Sequence, residues 1–244
     1  MFEAYLGPMV YKVNKRDDKL VRVNIIKYSD NNPTYSKEEL TNYGKLCIPR
    51  MINNIVGNFS RNLLIKSILR ELVNDGRQTL VLSDRREHLK NLFEMVSEFA
   101  SVGYYVGGMK QKDLDKSEEK QVILGTYPMS SEGLDIPTLD AAIFTTPKSS
   151  IEQSIGRITR KNHEKTPVAY DIVDNFCLFP RQYIKRLKVY KKLEYDVYEQ
   201  DINITPNSDE NNVMYQLKHN DTIKLELKKP RKQKTVWEIQ SDED

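Results

Sequence analysis

Short, largely apolar segments alternate with helical segments through the middle of this chain. The apolar segments are TLVLS, GYYVG, QVILGT, AAIFTT and VAYDIVD, at residues 79–83, 103–107, 121–126, 141–146 and 168–174. Strands without a polar face are typical of a parallel sheet buried on both sides, and the helices between them supply the crossovers that parallel strands need. The sequence therefore predicts an α/β fold in which helices cover both faces of a parallel sheet.

The segments between these strands have helical periodicity. Before the first strand the apolar residues recur on one helical face: Leu63, Leu64, Ile68, Leu69 and Leu72. Asp75-Gly76 follows them as a helix end. Further helices are predicted after the first strand, at 110–120, at 149–161 and at about 179–192. Because ligands of such folds bind at the carboxyl ends of the strands, the residues that follow each strand form the candidate site.

The N-terminal flank has a different pattern. Residues 5–13 and 20–28 are rich in β-branched and aromatic residues, and a polar stretch separates them. This arrangement predicts a β-hairpin. Residues 29–45 are polar and predict a loop that leads into a short helix.

The C-terminal flank is linker-like at first. It continues with two possible short strands, a basic run at 224–234 and an acidic end that we expect to be disordered. The basic run is equally consistent with a nucleic-acid contact and with a solvated tail. The predicted division is a hairpin and connector at 1–46, the α/β domain at 47–200, and a linker with a small C-terminal extension at 201–244.

Composition narrows the class of protein. Hydrophobic residues are 39% and charged residues 30% of the 244, which fits one core with a large solvated surface. Cys47 and Cys177 are far apart and lack metal-ligand spacing, so we expect neither a disulfide framework nor a metal site. No apolar run approaches the ~18 residues of a membrane span, and no secretory signal is visible. We therefore expect an intracellular protein with no membrane partner.

Two arginines lie three residues apart in QSIGRITRK. Ser150 and Gln153 have the spacing of a capping box, so a helix is predicted to start near Ser150. Arg157 and Arg160 would then share one helical face, with Gly156 leaving room for a ligand beside them. Two planar cations at one place suit a triphosphate, although solvated surface arginines produce the same pattern.

Small and polar residues follow the strand that ends at Gly125-Thr126. The next segment is predicted as a loop with the hydroxyls of Ser130 and Ser131, and then Gly133 and Asp135. Backbone amides and hydroxyls at a strand end suit sugar-phosphate oxygens, and a carboxylate there can accept from a ribose hydroxyl or an arginine. An ordinary polar crossover loop is the alternative.

Two further strand ends carry positive charge. Ser83 or Asp84 marks the start of a helix whose N-terminus would attract a phosphate, with Arg85 and Arg86 beside it. Simple capping of the helix by either residue is the alternative. Gly107-Gly108 ends the next strand and Lys110 follows, which fits either the same groove or a turn.

In order and spacing, three of these segments resemble motifs IV, V and VI in the second RecA-like domain of superfamily 2 helicases. They are VLSDRREHL, ILGTYPMSSEGLDIP and QSIGRITRK, at 81–89, 123–137 and 153–161. The resemblance covers roughly residues 50–200. With DIVDNFCLFPRQYIKRLKVYKKLEY after the last motif, it is most similar to helicases of large cytoplasmic DNA viruses, including the transcript-release helicases of poxviruses.

The resemblance implies a RecA-like sheet and a role for each motif residue. Gln153, Arg157 and Arg160 would face a nucleotide, the two arginines at its γ-phosphate, and Gly133 and Asp135 would couple that site to a nucleic-acid groove. Thr126, Ser83 and Gly108 would touch the backbone of one nucleic-acid strand. With the strand-end residues they complete the expected nucleic-acid-binding set, which adds Arg85, Lys110, Gly125 and Ser130. The partners implied are DNA or RNA and a first RecA-like lobe, with transcription machinery as a further candidate. The N-terminal hairpin resembles the segment that follows that lobe, and the location implied is the host cytoplasm or the virion.

Two parts of an ATPase site are missing from the sequence. The Gly44-Lys45 pair lacks the earlier glycine and the following hydroxyl of a phosphate-binding loop, and no Asp-Glu pair follows an apolar strand. ATP and Mg²⁺ would therefore need the first lobe, and we expect the isolated chain to bind nucleotide weakly and hydrolyse almost none. The alternative is a non-catalytic nucleic-acid-binding adaptor. A Rossmann-type enzyme is disfavoured, since no G-x-G-x-x-G follows the first strand.

Overall fold

A computed structural model describes residues 21–159, 163–204 and 210–225. Its strands are β1 (Arg22–Asp30), β2 (Gln78–Ser83), β3 (Val102–Tyr105), β4 (Val122–Thr126), β5 (Leu139–Phe144), β6 (Val168–Asp174), β7 (Asp196–Ile204) and β8 (Ile223–Lys224). They form one sheet in the order β3-β4-β2-β5-β6-β1-β7-β8. All described pairings are parallel except that of β8, which is antiparallel to β7. The predicted α/β class and parallel sheet are confirmed.

Helices cover both faces of this sheet. They are α1 (Ile48–Gly57), α2 (Phe59–Asn74), α3 (Arg86–Val96), α4 (Gln111–Glu118), α5 (Tyr127–Glu132), α6 (Glu152–Ile155), α7 (Phe179–Lys192) and α8 (Glu210–His219). Buried residues of α1, α2, α3 and α8 join one apolar cluster with one sheet face. Buried residues of α4 to α7 belong mainly to a second cluster on the opposite face. The layers are helix, sheet, helix.

The structure corrects the hairpin predicted at the N-terminus. The segment at 20–28 falls largely in β1, which lies inside the sheet with parallel partners on both edges, β6 and β7. A strand has only two edges, so β1 has none left for an antiparallel partner such as 5–13. Residues 5–13 themselves lie outside the described residues.

The sheet continues across both of the expected segment boundaries. β1 lies before residue 47, and β7 spans residue 200. In the part of the chain that the structure describes, the α/β fold therefore includes strands from the connector and from the C-terminal extension. Residues 226–244, with most of the basic run and the acidic end, lie outside the described residues.

The segments around the candidate site differ locally from the prediction. Residues 127–132 form the short helix α5 instead of a loop. The helix predicted at 149–161 begins only at Glu152, its N-cap is Ile151 without a side-chain hydrogen bond, and helical structure ends at Ile155. The capping box predicted at Ser150 is therefore wrong.

Candidate nucleotide and nucleic-acid site

The predicted site residues follow strands that end at one edge of the sheet. In the parallel ladders, Ser83 of β2 pairs with Thr126 of β4, and Gly125 pairs with Tyr105 of β3. The segments after β2, β3 and β4 therefore emerge side by side. This carboxyl edge, as we call it here, is where α/β folds bind ligands.

Arg157 lies beside an open groove of about 430 Å³. Gln153 and Gly156 line the same groove, and Gln153 is exposed. Arg157 is only 9% exposed, because its guanidinium donates to the main-chain carbonyls of Leu134 and Ser131. The cation is thus held at the wall of the groove. Arg160 lies outside the described residues.

The helix α5 joins the strand end of β4 to this groove. Ser130 is buried, its hydroxyl donates to the carbonyl of Tyr127, and it lies 3.2 Å from the Ser154 hydroxyl of α6. The Ser131 hydroxyl also donates to the Tyr127 carbonyl, at 3.0 Å. These hydroxyls complete the helix instead of facing solvent, which differs from the expectation that they would grip sugar-phosphate oxygens.

Beyond α5 the chain reaches the surface again. Gly133 and Asp135 are exposed, with Leu134 buried between them. The carbonyls of Ser131 and Leu134 that Arg157 holds flank Gly133. The glycine and the carboxylate expected to couple the two sites therefore belong to a turn that Arg157 directly stabilises.

A buried relay fixes the segment after β2. The Ser83 hydroxyl lies 3.0 Å from His88 Nδ1, and His88 Nε2 lies 2.9 Å from Asn62 Oδ1. Since the Asn62 amide nitrogen donates to the carbonyl of Val56, its oxygen is an acceptor, so the imidazole proton lies on Nε2 and Ser83 donates to Nδ1. The same hydroxyl accepts from the backbone N–H of Arg85. Ser83 is fully buried, so its hydroxyl orders this turn from within.

The two arginines after Ser83 have different surroundings. Arg85 donates from Nε to Asn53 Oδ1 at 2.7 Å and from Nη2 to the Pro49 carbonyl at 3.0 Å, which ties it to α1. Arg85 is also the N-cap of α3. The alternative that Ser83 or Asp84 caps this helix is therefore wrong. Arg86 is exposed and donates to the carbonyl of Gly107 at 2.6 Å.

The turn after β3 presents a lysine at the same edge. Gly108 has φ +88, which L-residues with a side chain rarely adopt, and nothing lies within 4 Å of a Cβ placed there. Backbone conformation alone thus explains this glycine. Lys110 follows at the N-cap of α4 and is exposed. Arg86 and Lys110 provide two exposed cations on adjoining strand ends.

A buried ion pair between Arg61 and Asp174 stabilises the carboxyl edge. Arg61 of α2 donates from Nε to Asp174 Oδ1 at 2.7 Å and from Nη2 to Asp174 Oδ2 at 3.0 Å, with both side chains fully buried. Arg61 Nη2 also reaches the Thr145 carbonyl after β5, and the Tyr35 hydroxyl donates to Asp174. Burial alone would lower the pKa of Arg61, but the Asp174 carboxylate more than reverses this effect. The pair joins α2 to the ends of β5 and β6.

A second buried pair lies on the opposite face. Asp171 Oδ2 accepts from Arg186 Nε and from the Tyr190 hydroxyl, each at 2.8 Å. Arg186 also donates to the carbonyl of Lys148, in the segment between β5 and α6. Burial and the Asp171 charge raise the pKa of Tyr190 well above its usual value. This pair fixes the segment that leads to Arg157.

Sequence reasoning missed Arg61, His88, Asp171, Asp174 and Arg186. No short-range sequence spacing indicates their ion pairs, since Arg61 and Asp174 are 113 positions apart and Arg186 is 15 positions from Asp171. The available signal was an ionisable residue inside an otherwise apolar segment, such as the aspartates of VAYDIVD. Buried charges are rarely left without a partner.

His88 predicts a pH dependence of stability. Burial, with the nearby Arg61 charge, lowers the pKa of His88 from 6.5 to about 3. Between these values the unfolded chain binds the proton and the folded chain does not, so this contribution is complete above pH 6.5 and is lost as pH falls toward 3. In urea titrations between pH 6.5 and pH 3, we expect the free energy of unfolding of the unmodified chain to fall as pH is lowered. Its slope should be steeper than that of His88→Gln by about 1.4 kcal/mol per pH unit. Equal slopes in the two proteins would contradict the buried neutral imidazole.

One family model matches the residues that form this edge. Residues 61–162 match the family model described as the helicase conserved C-terminal domain. Over these residues the chain is similar to the C-terminal domain of helicases. The matched residues include the described segments after β2, β3 and β4 and the groove beside Arg157. The resemblance in the three motifs is thereby confirmed.

Two curated relatives of this chain come from viruses. The chain is 38% identical over 201 residues to a putative ATP-dependent RNA helicase of Acanthamoeba polyphaga mimivirus, a match that covers 79% of this chain and 39% of the relative. It is 27% identical to a transcript termination protein of rabbit fibroma virus (strain Kasza), over 52% of this chain and 27% of the relative. The chain thus spans about two fifths of the first relative and about a quarter of the second.

A solved structure supports the fold. T4 UvsW has a TM-score of 0.61 at 21% identity, covering 76% of this chain and 42% of that one. This likeness, together with the parallel sheet, confirms the RecA-like architecture. Among the described helices, none has the length and apolar character needed to cross a membrane.

Proposed function

We propose that this chain is the C-terminal half of an ATP-dependent nucleic-acid helicase or translocase, with Arg157 and Arg160 as arginine fingers. The observation that carries the proposal is the position of Arg157, whose guanidinium lines an open groove together with Gln153. An adaptor without catalysis has no need of a cation held at such a groove.

The groove fits the phosphate end of ATP in its donor set. Arg157 supplies a planar cation with a bidentate fork, Gln153 an exposed amide, and Gly156 a position without a side chain. To reach a phosphate, Arg157 would exchange the carbonyls of Ser131 and Leu134 for phosphate oxygens. Since those carbonyls flank Gly133, this exchange would move the turn that carries Asp135, which is how the two sites would be coupled.

Mg²⁺ fits less well. Within 21–159, 163–204 and 210–225, no three acidic, histidine or cysteine side chains are close enough to hold a metal ion. We therefore assign the metal and the phosphate-binding loop to the first lobe, and derive no step through the metal. When bound, ATP would supply the free energy that drives closure and opening of the two lobes on a nucleic-acid strand.

The nucleic-acid half of the site is proposed at the adjoining strand ends. Main-chain groups near Ser83, Gly108, Gly125 and Thr126 would lie along one strand, while Arg86 and Lys110 would neutralise its phosphates. Arg85 is engaged with α1, so its proposed part is to hold that helix beside the groove. The predicted role of Ser130 becomes one of supporting α5.

Lys110 offers a direct test of this surface. In Lys110→Ala we expect weaker binding of a single-stranded oligonucleotide and a salt dependence shallower by about 0.7 in log Kd against log salt, the effect of losing one phosphate contact. Fluorescence anisotropy at several salt concentrations measures both. Lys188→Ala, an exposed lysine on α7, is the matched control. Identical slopes for the Lys110 and Lys188 variants would remove Lys110 from the groove.

The relatives suggest the setting. Because they are viral helicases and a transcript termination protein, we propose action on DNA or RNA in the host cytoplasm or the virion, alongside transcription machinery. The first lobe would be part of the same or a companion chain. The nucleotide half of the proposal is tested by supplying that lobe and measuring ATP turnover.

A further inference from the structure

Several exposed apolar side chains occur in the segment around α1. Among the described residues the large exposed ones are Leu40, Tyr43, Phe59, Ile184 and Ile223. Three of these five fall between 40 and 59, on the segment that contains α1. Tyr43 is the most exposed, at 90%. An isolated exposed apolar residue is ordinary, but this grouping beside a proposed binding groove is a feature to be explained.

Tyr43 lies at the tip of an ordered turn. Leu40 and Leu46 form an antiparallel bridge, and the Thr41 N–H donates to the Lys45 carbonyl at 2.7 Å. Gly44 has φ +71, the left-handed conformation that such a turn requires, and its N–H donates to the Thr41 carbonyl. We call residues 40–46 the tyrosine turn. These hydrogen bonds order the backbone of the turn, so little backbone entropy is lost when a ligand covers the exposed ring.

The tyrosine turn is connected to the proposed groove by α1. Arg50, in the first turn of α1, donates to the Leu40 carbonyl at 3.1 Å. On the same helix, Pro49 and Asn53 accept from the Arg85 guanidinium at the end of β2. Arg50, which holds the turn, therefore lies within about one helical turn, ~5 Å along α1, of the residues that contact Arg85. A strand bound at β2 would reach the turn within a few nucleotides.

The charges around the ring favour a polyanion. Lys45 within the turn and Arg50 just after it are both exposed. The neighbouring carboxylate of Glu39 is engaged by Lys37 at 2.9 Å and by Asn54 at 3.3 Å. An exposed aromatic ring with cations beside it is the arrangement that binds single strands, because every base has a face that can stack on the ring and each phosphate meets a positive charge.

We propose that Tyr43 is a base-stacking residue, and that the tyrosine turn extends the nucleic-acid groove along α1 for a single strand of DNA or RNA. The proposal rests on the proposed function, since it presupposes a strand at β2. A first lobe seated on Tyr43 is the competing occupant, and it predicts no effect of Tyr43 on oligonucleotide binding by this chain alone.

The test compares four side chains at position 43 in the whole chain. The probe is a fluorescein-labelled oligodeoxythymidine or oligouridine of about 12 nucleotides, within the site sizes of single-strand-binding folds. We expect Tyr43→Ala and Tyr43→Leu to bind about tenfold more weakly, while Tyr43→Phe stays within twofold of the unmodified chain. Ile223→Ala, which alters an exposed apolar residue on β8, is the matched control and should bind as the unmodified chain does.

A spectroscopic readout separates stacking from an indirect effect. The chain has one tryptophan, Trp237, so Tyr43→Trp in a Trp237→Phe background carries a single indole. We expect its fluorescence to be quenched as the probe binds, with a midpoint equal to the Kd. Any of three results would overturn the proposal, provided that the unmodified chain binds the probe. They are unchanged affinity in Tyr43→Ala, equal affinity of the leucine and phenylalanine variants, and no quenching of the indole. Absence of binding by the unmodified chain and all variants would instead count against the groove itself, and would overturn the stacking role with it.

Discussion

Replacing Arg157 with alanine is expected to lower nucleic-acid-stimulated ATP turnover by about 10³-fold once the chain is joined to a first lobe. The joined protein would combine this chain with the part of the mimivirus relative that the match does not cover. The physical reason is that a planar guanidinium at the groove stabilises charge on the transferred phosphoryl group. Lysine cannot form the same bidentate contact, so Arg157→Lys is expected to lose most of the rate as well.

Controls separate this effect from a folding defect. Arg157 also holds the carbonyls of Ser131 and Leu134, so its removal will cost some stability, on the order of 1–3 kcal/mol. A thermal melt and oligonucleotide affinity report whether the variant is folded. Arg22→Ala, an exposed arginine at the start of β1, should turn over ATP normally. Turnover by a folded Arg157→Ala protein within tenfold of the unmodified one would remove Arg157 from catalysis.

Replacing Asp174 with alanine is expected to destabilise the domain by about 3–5 kcal/mol. The substitution leaves the fully buried Arg61 without its carboxylate, and leaves the Tyr35 hydroxyl only the more distant Tyr28 carbonyl as an acceptor. Since a domain of this kind is stable by only about 5–15 kcal/mol, a loss of this size would remove a large fraction of its stability. Urea denaturation measures the loss. Asp75→Ala, which breaks the pairs of the half-exposed Asp75 with Lys165 and Arg77, should cost only about 1 kcal/mol.

A double variant shows whether the loss comes from the unpaired charge. Arg61→Met with Asp174→Ala removes both charges, so we expect it to be less destabilised than the sum of the two single variants, by about 1–3 kcal/mol. Strict additivity would mean that Arg61 and Asp174 contribute independently, and that the ion pair does not organise the carboxyl edge.

The parts of the fold that sequence predicts well are those fixed by local pattern. The strands from 79 to 174 and α2, with Asp75-Gly76 at its end, are visible because long apolar runs and helical stripes report burial directly. The sequence predicts that β1 is extended but pairs it with the wrong segment, 5–13. The residues of a strand carry no information about which strand lies beside it. β7 is not apparent in the sequence because the polar run Glu199-Gln200-Asp201 interrupts its apolar residues.

The sequence predicts where the site residues lie better than it predicts which hydrogen bonds and ion pairs they form. Strand-end residues and the motif order locate Arg157 and Gln153, because parallel strands bring their ends to one edge. The directions of the Ser83 and Ser130 hydroxyls were not predictable, since they depend on His88 and on the short helix α5. The buried pairs that hold the edge join residues far apart in the chain, and no local spacing encodes them.

ATP turnover with and without a first lobe tests the central claim most directly. The measurement is the rate of phosphate release by this chain alone, by the lobe alone, and by the two combined, each with and without single-stranded nucleic acid. We expect essentially no turnover from this chain alone, and turnover stimulated by nucleic acid from the combination. Robust stimulated turnover by the isolated chain, or none by a folded combination that binds both ATP and nucleic acid, would contradict the assignment of this domain as half of an active site.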